Sequence, residues 1–265
     1  MRTVAIIQAR MNSSRLPGKV LLDLGGEPML VRVVERACRA RTLDDVIIAT
    51  TTDPSDDPLE ALCRARGYPV YRGSMFDVLD RFYGAAKQAQ AGVIVRITAD
   101  CPVIDPHVID DVVDAFQAAS DRPGTTFACN RLPPPWKRTY PIGLDIEVCD
   151  FAGLERAWKE AELPFEREHV MPFFYDSEGR FKVVVVDHDP DYGAYRWTVD
   201  TPEDLDLLRE IFRRLPDDQF TWLDVLALVQ REPELAKINA NVKAKVAMEV
   251  DSRMKDAPGS KDKDA

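Results

Sequence analysis

The feature that most constrains the fold of this chain is the alternation of short apolar runs with longer amphipathic segments. Residues 3–9, 45–50 and 93–98 are rich in Val and Ile, as expected for strands that are buried on both faces. Segments with a helical pattern of apolar residues cover positions 28–40, 57–66, 75–90 and 105–119. Because strands that alternate with helices form a largely parallel sheet covered on both faces, the sequence predicts the α/β class.

The second half of the chain is less regular. Residues 130–148 are rich in proline and long enough to form a functional or interface segment rather than a simple connection. We predict strands at residues 180–186 and 195–199. Asp105 and Thr201, each followed by proline, have the character of helix N-caps. Further helices are predicted at residues 150–162, 166–176, 200–212 and 221–231.

Length and composition limit the class of protein. A chain of 265 residues with 45% hydrophobic residues can bury the core of one sizeable α/β domain. We predict a single domain over residues 1–239 and a disordered tail over residues 240–265, where apolar residues become sparse. No apolar run approaches the roughly 18 residues of a membrane span, and residues 1–9 are too short for a secretory signal.

Charge and cysteine content indicate the compartment and exclude one class of partner. The net charge of −10 disfavours binding to duplex nucleic acid, which needs clustered cations to neutralise phosphates. The five cysteines are odd in number and widely spaced, which argues against both a disulfide framework and a zinc site. We therefore expect a cytoplasmic protein that binds neither nucleic acid nor a membrane.

A cluster of cations at the end of the first predicted strand stands against this negative net charge. Arg10, Arg15 and Lys19 share one short loop with Ser13 and Ser14. Guanidinium and ammonium groups bind phosphate oxygens, and ligands of parallel sheets bind at the carboxyl ends of the strands. The loop has neither the Walker spacing nor a dinucleotide-binding glycine pattern. It predicts an anion site, and the alternative is a solvated charged loop.

Two aspartates also follow predicted strands. Asp100 comes after the run at 93–98, and Asp200 comes after the run at 195–199. Mg²⁺ takes one or two carboxylates and leaves its other positions to water and substrate phosphates, so the pair suggests a magnesium site beside the basic loop. Turn chemistry at Asp100 and helix initiation at Asp200 are the alternatives, and composition alone does not decide between them.

Several motifs, in order along the chain, resemble a known family. The opening IIQARMNSSRLPGKVLLDLGGEPML resembles that of the CMP-sugar-acid synthetases, in particular the enzymes that activate 3-deoxy-manno-octulosonate (KDO) with CTP. The motifs TADCPVIDP, GLDIEV, REHVMPF and WTVDTPEDL resemble the SpsF-type cytidylyltransferases of spore-coat and surface polysaccharide synthesis. The resemblance covers residues 3–212. It implies a Rossmann-like three-layer α/β/α sandwich with a mostly parallel mixed sheet, of the nucleotide-diphospho-sugar transferase type.

The resemblance also implies an activity and roles for individual residues. The activity is transfer of CMP from CTP to a sugar acid or similar anionic acceptor, with release of pyrophosphate. Mg²⁺ is the expected cofactor, held by Asp100 and Asp200. Catalytic roles are implied for Arg10, Arg15, Lys19 and Asp100. The expected nucleotide-binding residues are Ala9, Arg10, Ser13, Ser14, Arg15, Lys19, Arg72 and Asp100.

The acceptor is less constrained by these motifs. Where the KDO enzymes carry an acidic residue after the strand-end aspartate, this chain has Cys101, which leaves the acceptor and any second metal open. A helix cap near Arg72 and a hydrogen-bonded helical trio at 167–169 are structural alternatives to binding roles. The resemblance further implies a homodimer with contacts in residues 125–165. The residues that we expect to line the acceptor pocket are Tyr140, Asp145, Glu147, Arg167 and His169.

Two other functions stay open on the sequence alone. Asp187 and Asp189 form an Asp-x-Asp motif after a predicted strand, as in metal-dependent GT-A glycosyltransferases that use a nucleotide-sugar, although an acidic surface turn has the same pattern. A regulatory nucleotide-binding module would keep the basic loop without needing the aspartate pair. Release of pyrophosphate from CTP would distinguish the cytidylyltransferase from both.

Overall fold

The computed structural model describes residues 1–133, 138–215 and 217–243 and places them around one mixed sheet. The strands are β1 (Thr3–Gln8), β2 (Asp45–Thr51), β3 (Val70–Gly73), β4 (Val93–Thr98), β5 (Thr126–Cys129), β6 (Glu147–Asp150) and β7 (Lys182–Val185). Across the sheet of this described part the order is β3-β2-β1-β4-β6-β5-β7. Only β6 runs antiparallel to its neighbours there, and the other pairs are parallel.

Helices cover both faces of this sheet. In the described residues they are α1 (Met29–Ala37), α2 (Asp57–Arg66), α3 (Val78–Gln88), α4 (Pro106–Ala119), α5 (Phe151–Glu160), α6 (Pro164–His169), α7 (Pro172–Tyr175), α8 (Pro202–Arg214) and α9 (Trp222–Arg231). Ala5 and Ile7 of β1 pack with α1, α4, α8 and α9, whereas Val4 and Ile6 pack with α3, α5 and α7. Alternate strand residues thus face two separate cores, and the predicted three-layer α/β arrangement is confirmed.

The predicted N-caps begin their helices as expected. The side chain of Asp105 accepts a hydrogen bond from the backbone N–H of His107 at the start of α4. Thr201 and Asp204 form a reciprocal capping box at the start of α8. Because the second carboxylate oxygen of Asp105 accepts the backbone N–H of Trp222 at 2.7 Å, the same cap also fixes the start of α9.

Two predicted elements are wrong. Residues 195–199 form only a single bridge, at Arg196, instead of a strand. The backbone of Val199 is bonded instead to the Asp100 carbonyl through its N–H (2.8 Å) and to the Lys19 ammonium through its carbonyl (2.7 Å). The apolar pattern there reflects burial rather than a strand. The predicted helix 166–176 is divided into α6 and α7 at Val170, whose φ is +70°.

The topology places a crevice at the carboxyl ends of β1 and β4. From β1 the chain passes through α1 to β2 on one side, whereas β4 lies on the other side of β1. Such a reversal of strand order is where open α/β sheets bind ligands. Within the described residues, no helix combines the length and apolar character needed to cross a membrane. The proline-rich segment at 134–137 and, in the predicted tail, residues 244–265 lie outside the described residues.

Candidate active site

A cavity of about 230 Å³ lies at the carboxyl ends of β1 and β4. It collects most of the predicted nucleotide and metal residues, although these come from three distant parts of the sequence. The predicted residues that line it are Ala9, Arg10, Ser13, Ser14, Arg15, Lys19, Asp100 and Asp200. Gln8, Val20, Thr98 and Ala99 complete the lining.

The loop between β1 and α1 is held in shape by two backbone features. Gly18 has a φ of +72°, a left-handed conformation that L side chains rarely adopt, and its N–H donates to the Met11 carbonyl at 2.8 Å. The short 3₁₀ turn Lys19–Leu21 follows directly. The loop is therefore closed on itself between Met11 and Gly18, which directs Lys19 into the cavity.

A buried carboxylate anchors this loop to β2. Asp56 accepts the backbone N–H of Met11 at 2.7 Å. It also accepts the hydroxyl of Thr50 at 2.9 Å, and both the N–H and the hydroxyl of Thr51. With only 1% of its surface exposed, Asp56 is satisfied entirely by these donors. The basic loop is thereby fixed to the end of β2.

Lys19 lies between the two predicted metal ligands. Its ammonium Nζ donates to Asp100 Oδ2 (2.9 Å), Asp200 Oδ1 (3.0 Å) and the Val199 carbonyl (2.7 Å). Burial alone would lower the pKa of Lys19, but the attraction of Asp100 and Asp200 outweighs it and raises the pKa. Lys19 is therefore a permanent cation at the centre of the cavity.

Asp200 contacts three cations through its two oxygens. Oδ1 accepts a hydrogen bond from Lys19, whereas Oδ2 accepts one from Arg196 Nη2 at 2.8 Å and forms an ion pair with Arg15 Nη2 at 2.8 Å. Burial would raise the pKa of Asp200, but Lys19 and the guanidinium groups of Arg196 and Arg15 lower it to about 2. Asp200 is thus ionised at neutral pH, with one oxygen toward the cavity centre and the other held by arginines.

The pair Asp100 and Asp200 fits a divalent cation of the hard type. One oxygen of each carboxylate faces the same point, where Lys19 now supplies a single positive charge. Two carboxylate oxygens, completed by water and phosphate oxygens, are a donor set that Mg²⁺ accepts. Within the described residues no group of three or more His, Cys, Asp or Glu side chains converges on one point. The remaining ligands of a cation in this cavity would therefore come from water or from the substrate.

Two predicted acceptor residues lie beside the cavity in a cluster of charges. Glu147 pairs with Arg96, whose Nη2 donates at 3.3 Å to Gln8, a residue of the cavity lining. Asp145 is bonded by Arg138, with one contact of 3.0 Å. Arg131 lies 3.9 Å from the same carboxylate. This cluster, Arg96, Arg131, Arg138, Asp145 and Glu147, carries one positive charge in excess.

Besides Asp145 and Glu147, four predicted residues lie outside the cavity lining. Arg72 bonds the carbonyls of Thr51 and Asp53 and the carboxylates of Asp57 and Glu60. Tyr140 is buried against His188 and Trp222. Arg167 holds α6 to the start of α3 through Asp77, with a shortest contact of 2.5 Å. His169 is the half-buried last residue of α6.

Asp187 and Asp189 of the Asp-x-Asp motif are also outside the cavity lining. Asp187 accepts a hydrogen bond from the Thr139 hydroxyl at 3.2 Å, and the backbone N–H of His188 donates to the same hydroxyl at 2.9 Å. The ring of His188 packs on Trp222. These contacts fix a turn of the chain, and the placement does not favour a glycosyltransferase that binds a metal there.

Several residues of the site escaped the sequence analysis. Arg196 and Asp204 each lie four positions from Asp200 in RWTVDTPED. This regular spacing of opposite charges is a sequence signal for the ion pairs of Arg196 with Asp200 and Asp204. Asp56 and Asn239 carried no such local signal. Arg81 is fully buried, which lowers its pKa to about 10 with a further contribution from Arg10. Its Nε and Nη2 make no hydrogen bond within the described residues.

Comparison with known proteins agrees with this geometry. A family model described as cytidylyltransferase matches residues 4–229. The spore coat polysaccharide biosynthesis protein SpsF of Bacillus subtilis is 32% identical over 240 residues, 87% of this chain and 95% of SpsF. A 3-deoxy-manno-octulosonate cytidylyltransferase of Chlorobium phaeobacteroides is 30% identical over 170 residues, 63% of this chain and 67% of that protein.

A solved structure supports the same assignment at the level of the fold. The structure of a cytidylyltransferase from Leptospira borgpetersenii superposes with a TM-score of 0.83 at 32% identity. The match covers 92% of this chain and 99% of that one. The Rossmann-like nucleotidyltransferase fold predicted from the motifs is therefore confirmed.

Proposed function

The chain belongs to the cytidylyltransferase family of the SpsF type, and we propose that it transfers CMP from CTP to an anionic sugar-acid acceptor with release of pyrophosphate. The observation that carries this proposal is the position of Lys19, whose ammonium bonds Asp100 and Asp200 in one cavity that Arg10 and Arg15 also line. Clustered cations next to paired carboxylates are suited to a triphosphate with a divalent cation.

The basic loop would act on the leaving group. In the proposed reaction an acceptor oxygen attacks the α-phosphorus in line, a new P–O bond forms, and the bond to the β-phosphate breaks. Negative charge grows on the departing pyrophosphate, and Arg10, Arg15 and Lys19 provide fixed positive charge for it. Because the loop is closed at Gly18 and anchored through Asp56, its backbone needs little rearrangement during the reaction.

Magnesium is part of the proposal. Asp100 and Asp200 would hold it through Oδ2 and Oδ1, the two oxygens that Lys19 now bonds. When bound there, Mg²⁺ supplies charge that neutralises phosphate oxygens. Arg15 and Arg196 contact Oδ2 of Asp200 and keep its carboxylate oriented, which suits Asp200 to hold the cation.

An anionic acceptor is supported by charge and by relatives. The cluster beside the cavity holds three arginines against Asp145 and Glu147, so a carboxylate on the acceptor would balance its excess charge. The name of one relative states 3-deoxy-manno-octulosonate as its substrate, and another acts in polysaccharide biosynthesis. A homodimer through residues 125–165 stays a prediction, which sedimentation of the purified protein would test.

The proposed activity is tested by pyrophosphate release. Purified protein is incubated with Mg²⁺, each of CTP, UTP, GTP and ATP, and a panel of 2-keto-3-deoxy and other sugar acids. We expect acceptor-dependent pyrophosphate from CTP and its loss in Asp200→Asn. Pyrophosphate from another nucleotide but not from CTP, or transfer from a UDP-sugar instead, would contradict the proposal.

A further inference from the structure

The guanidinium of Arg196 connects Asp200 to helix α8 through hydrogen bonds to Asp200 and Asp204. Arg196 donates from Nη2 to Asp200 Oδ2 at 2.8 Å. The same guanidinium bonds both oxygens of Asp204, from Nε at 2.9 Å and from Nη2 at 3.0 Å. A two-pronged contact of this kind fixes direction as well as distance. The position of Asp200 is thus coupled to that of Asp204.

Asp204 is itself fixed on every side. It has no exposed surface, and it accepts the backbone N–H groups of Asp200 (3.0 Å) and Thr201 (3.1 Å). Its Oδ1 also accepts Asn239 Nδ2 at 2.9 Å. A buried carboxylate needs all its donors, because an unsatisfied one is costly. Asn239 is therefore part of what holds Arg196 in place.

Asn239 belongs to the C-terminal segment Leu235–Lys243. Its Nδ2 donates to the carbonyl of Arg196 at 3.0 Å as well as to Asp204, and only 6% of the residue is exposed. The segment touches the site a second time, where Arg15 Nη1 donates to the Lys243 carbonyl at 3.2 Å. Both contacts of the segment thus reach residues that bond Asp200 directly.

We propose that Arg196 and Asn239 are positioning residues for Asp200, and that the segment Leu235–Lys243 contributes to the nucleotide site through Asn239. The hydrogen-bonded residues Arg196, Asp204 and Asn239, which we name the Asp200 relay, hold Oδ2 of Asp200 and leave its Oδ1 directed toward the cavity centre. The inference rests on the proposed function, because Asp200 is taken as a ligand of the divalent cation. Residues that orient a metal ligand typically change affinity 10- to 100-fold when they are altered.

The test measures binding rather than turnover. CTP is titrated calorimetrically into the protein without acceptor, once with EDTA and once with saturating Mn²⁺. The ratio of the two dissociation constants gives the metal-dependent gain in CTP affinity, called the gain below. Arg196→Lys keeps the charge but loses the two-pronged contact, and Asn239→Ala removes the last donor of the Asp200 relay. We expect each to lower the gain about tenfold and to leave CTP binding in EDTA within about twofold of the wild type.

Matched controls separate positioning from general destabilisation. Asn241→Ala changes an exposed residue of the same segment, and Arg214→Lys changes an arginine that pairs with Glu210 and Glu232 away from the cavity. Both should keep the wild-type gain. A purely structural role of the Asp200 relay would lower the melting temperature of Arg196→Lys and Asn239→Ala with the gain unchanged, and that result would overturn the inference.

The variant Asp200→Asn separates a failure of the positioning role from a failure of the proposed function. It should abolish the gain. If it does so while Arg196→Lys and Asn239→Ala keep the full gain, the positioning role is wrong and the proposed function stands. If Asp200→Asn retains the full gain, or the wild type shows none, the metal role of Asp200 is wrong and the positioning role is overturned with it.

Discussion

Lys19 Nζ lies 3.0 Å from Asp200 Oδ1, although 181 positions separate the two residues in the sequence. Their contact joins the loop after β1 to the segment that precedes α8, and Asp100 completes the group from the end of β4. The ammonium thus stands at the point on which both carboxylates converge. In this account Lys19 balances the two charges in the free protein and faces the phosphates when nucleotide and cation enter.

Replacement of Lys19 by methionine should affect both turnover and cation binding. Loss of a fixed charge at the reacting phosphates should lower kcat by about 10²- to 10³-fold. Without the ammonium, Asp100 Oδ2 and Asp200 Oδ1 lose the positive charge that lies between them, so Mg²⁺ should raise the melting temperature of Lys19→Met more than that of the wild type. Thermal unfolding without nucleotide measures the second effect.

The control for this variant is Lys87→Met, which changes an exposed lysine of α3. It should behave as the wild type in both measurements. Equal stabilisation of Lys19→Met and the wild type by Mg²⁺ would show that the two carboxylates do not form a cation site.

Asp56 should be essential for the shape of the basic loop. Asp56→Ala leaves the N–H groups of Met11 and Thr51 and two hydroxyls without their acceptor in a buried place. We expect a loss of about 2–4 kcal/mol in the free energy of unfolding and weaker CTP binding. Urea denaturation and calorimetry measure the two effects. Asp53→Ala, which removes hydrogen bonds to the N–H and the side chain of Ser55, should leave CTP binding unchanged. Comparable losses in both variants would argue against the anchor.

Gly143 should tolerate no side chain. Its φ is +111°, and a Cβ would lie 2.7 Å from the carbonyl carbon of Trp197. Gly143→Ala should therefore displace the segment that carries Arg196 and Asp200. Gly67 is a control with φ +71° and open space around a Cβ, so Gly67→Ala should cost only the backbone term of about 1–2 kcal/mol. Chemical denaturation that gives equal costs for the two variants would contradict the close approach.

The stability of the protein should depend on the ionisation of Asp200. Its pKa is lowered from 3.8 to about 2, so its ion pairs stabilise the fold fully above pH 4 and lose their effect as the pH falls toward 2. The shift corresponds to about 2 kcal/mol. The difference in unfolding free energy between the wild type and Asp200→Asn should thus be constant from pH 7 to pH 5 and shrink below pH 4. A difference that grows on acidification would have the wrong sign.

Local patterns were sufficient to predict much of this structure. The apolar runs of β1, β2 and β4, the caps at Asp105 and Thr201, and the basic loop all depend on residues close in sequence. The convergence of Lys19 and Asp100 followed because β1 and β4 are parallel and end at one edge of the sheet. Asp200 reaches the same edge from a segment that the sequence predicted wrongly as a strand.

Long-range contacts account for what the sequence did not predict. The run at 195–199 alternates like a strand, but Lys19 and Asp100 satisfy the backbone of Val199 in place of a neighbouring strand. Arg72 was predicted to bind nucleotide because it precedes a helix start, whereas in the structure it lies in β3 and bonds Glu60 and the carbonyl of Thr51. Asn239 reaches Asp204 across 35 positions, for which no local pattern exists.

The central claim is that the cavity around Lys19 binds CTP with a divalent cation. Calorimetric titration of CTP, UTP, GTP and ATP into the wild type and Lys19→Met, each with Mg²⁺, tests it most directly. CTP should bind the wild type at least tenfold more tightly than the other three nucleotides do, and Lys19→Met should weaken this binding by tenfold or more. Equal affinity for all four nucleotides, or CTP binding that Lys19→Met leaves unchanged, would contradict it.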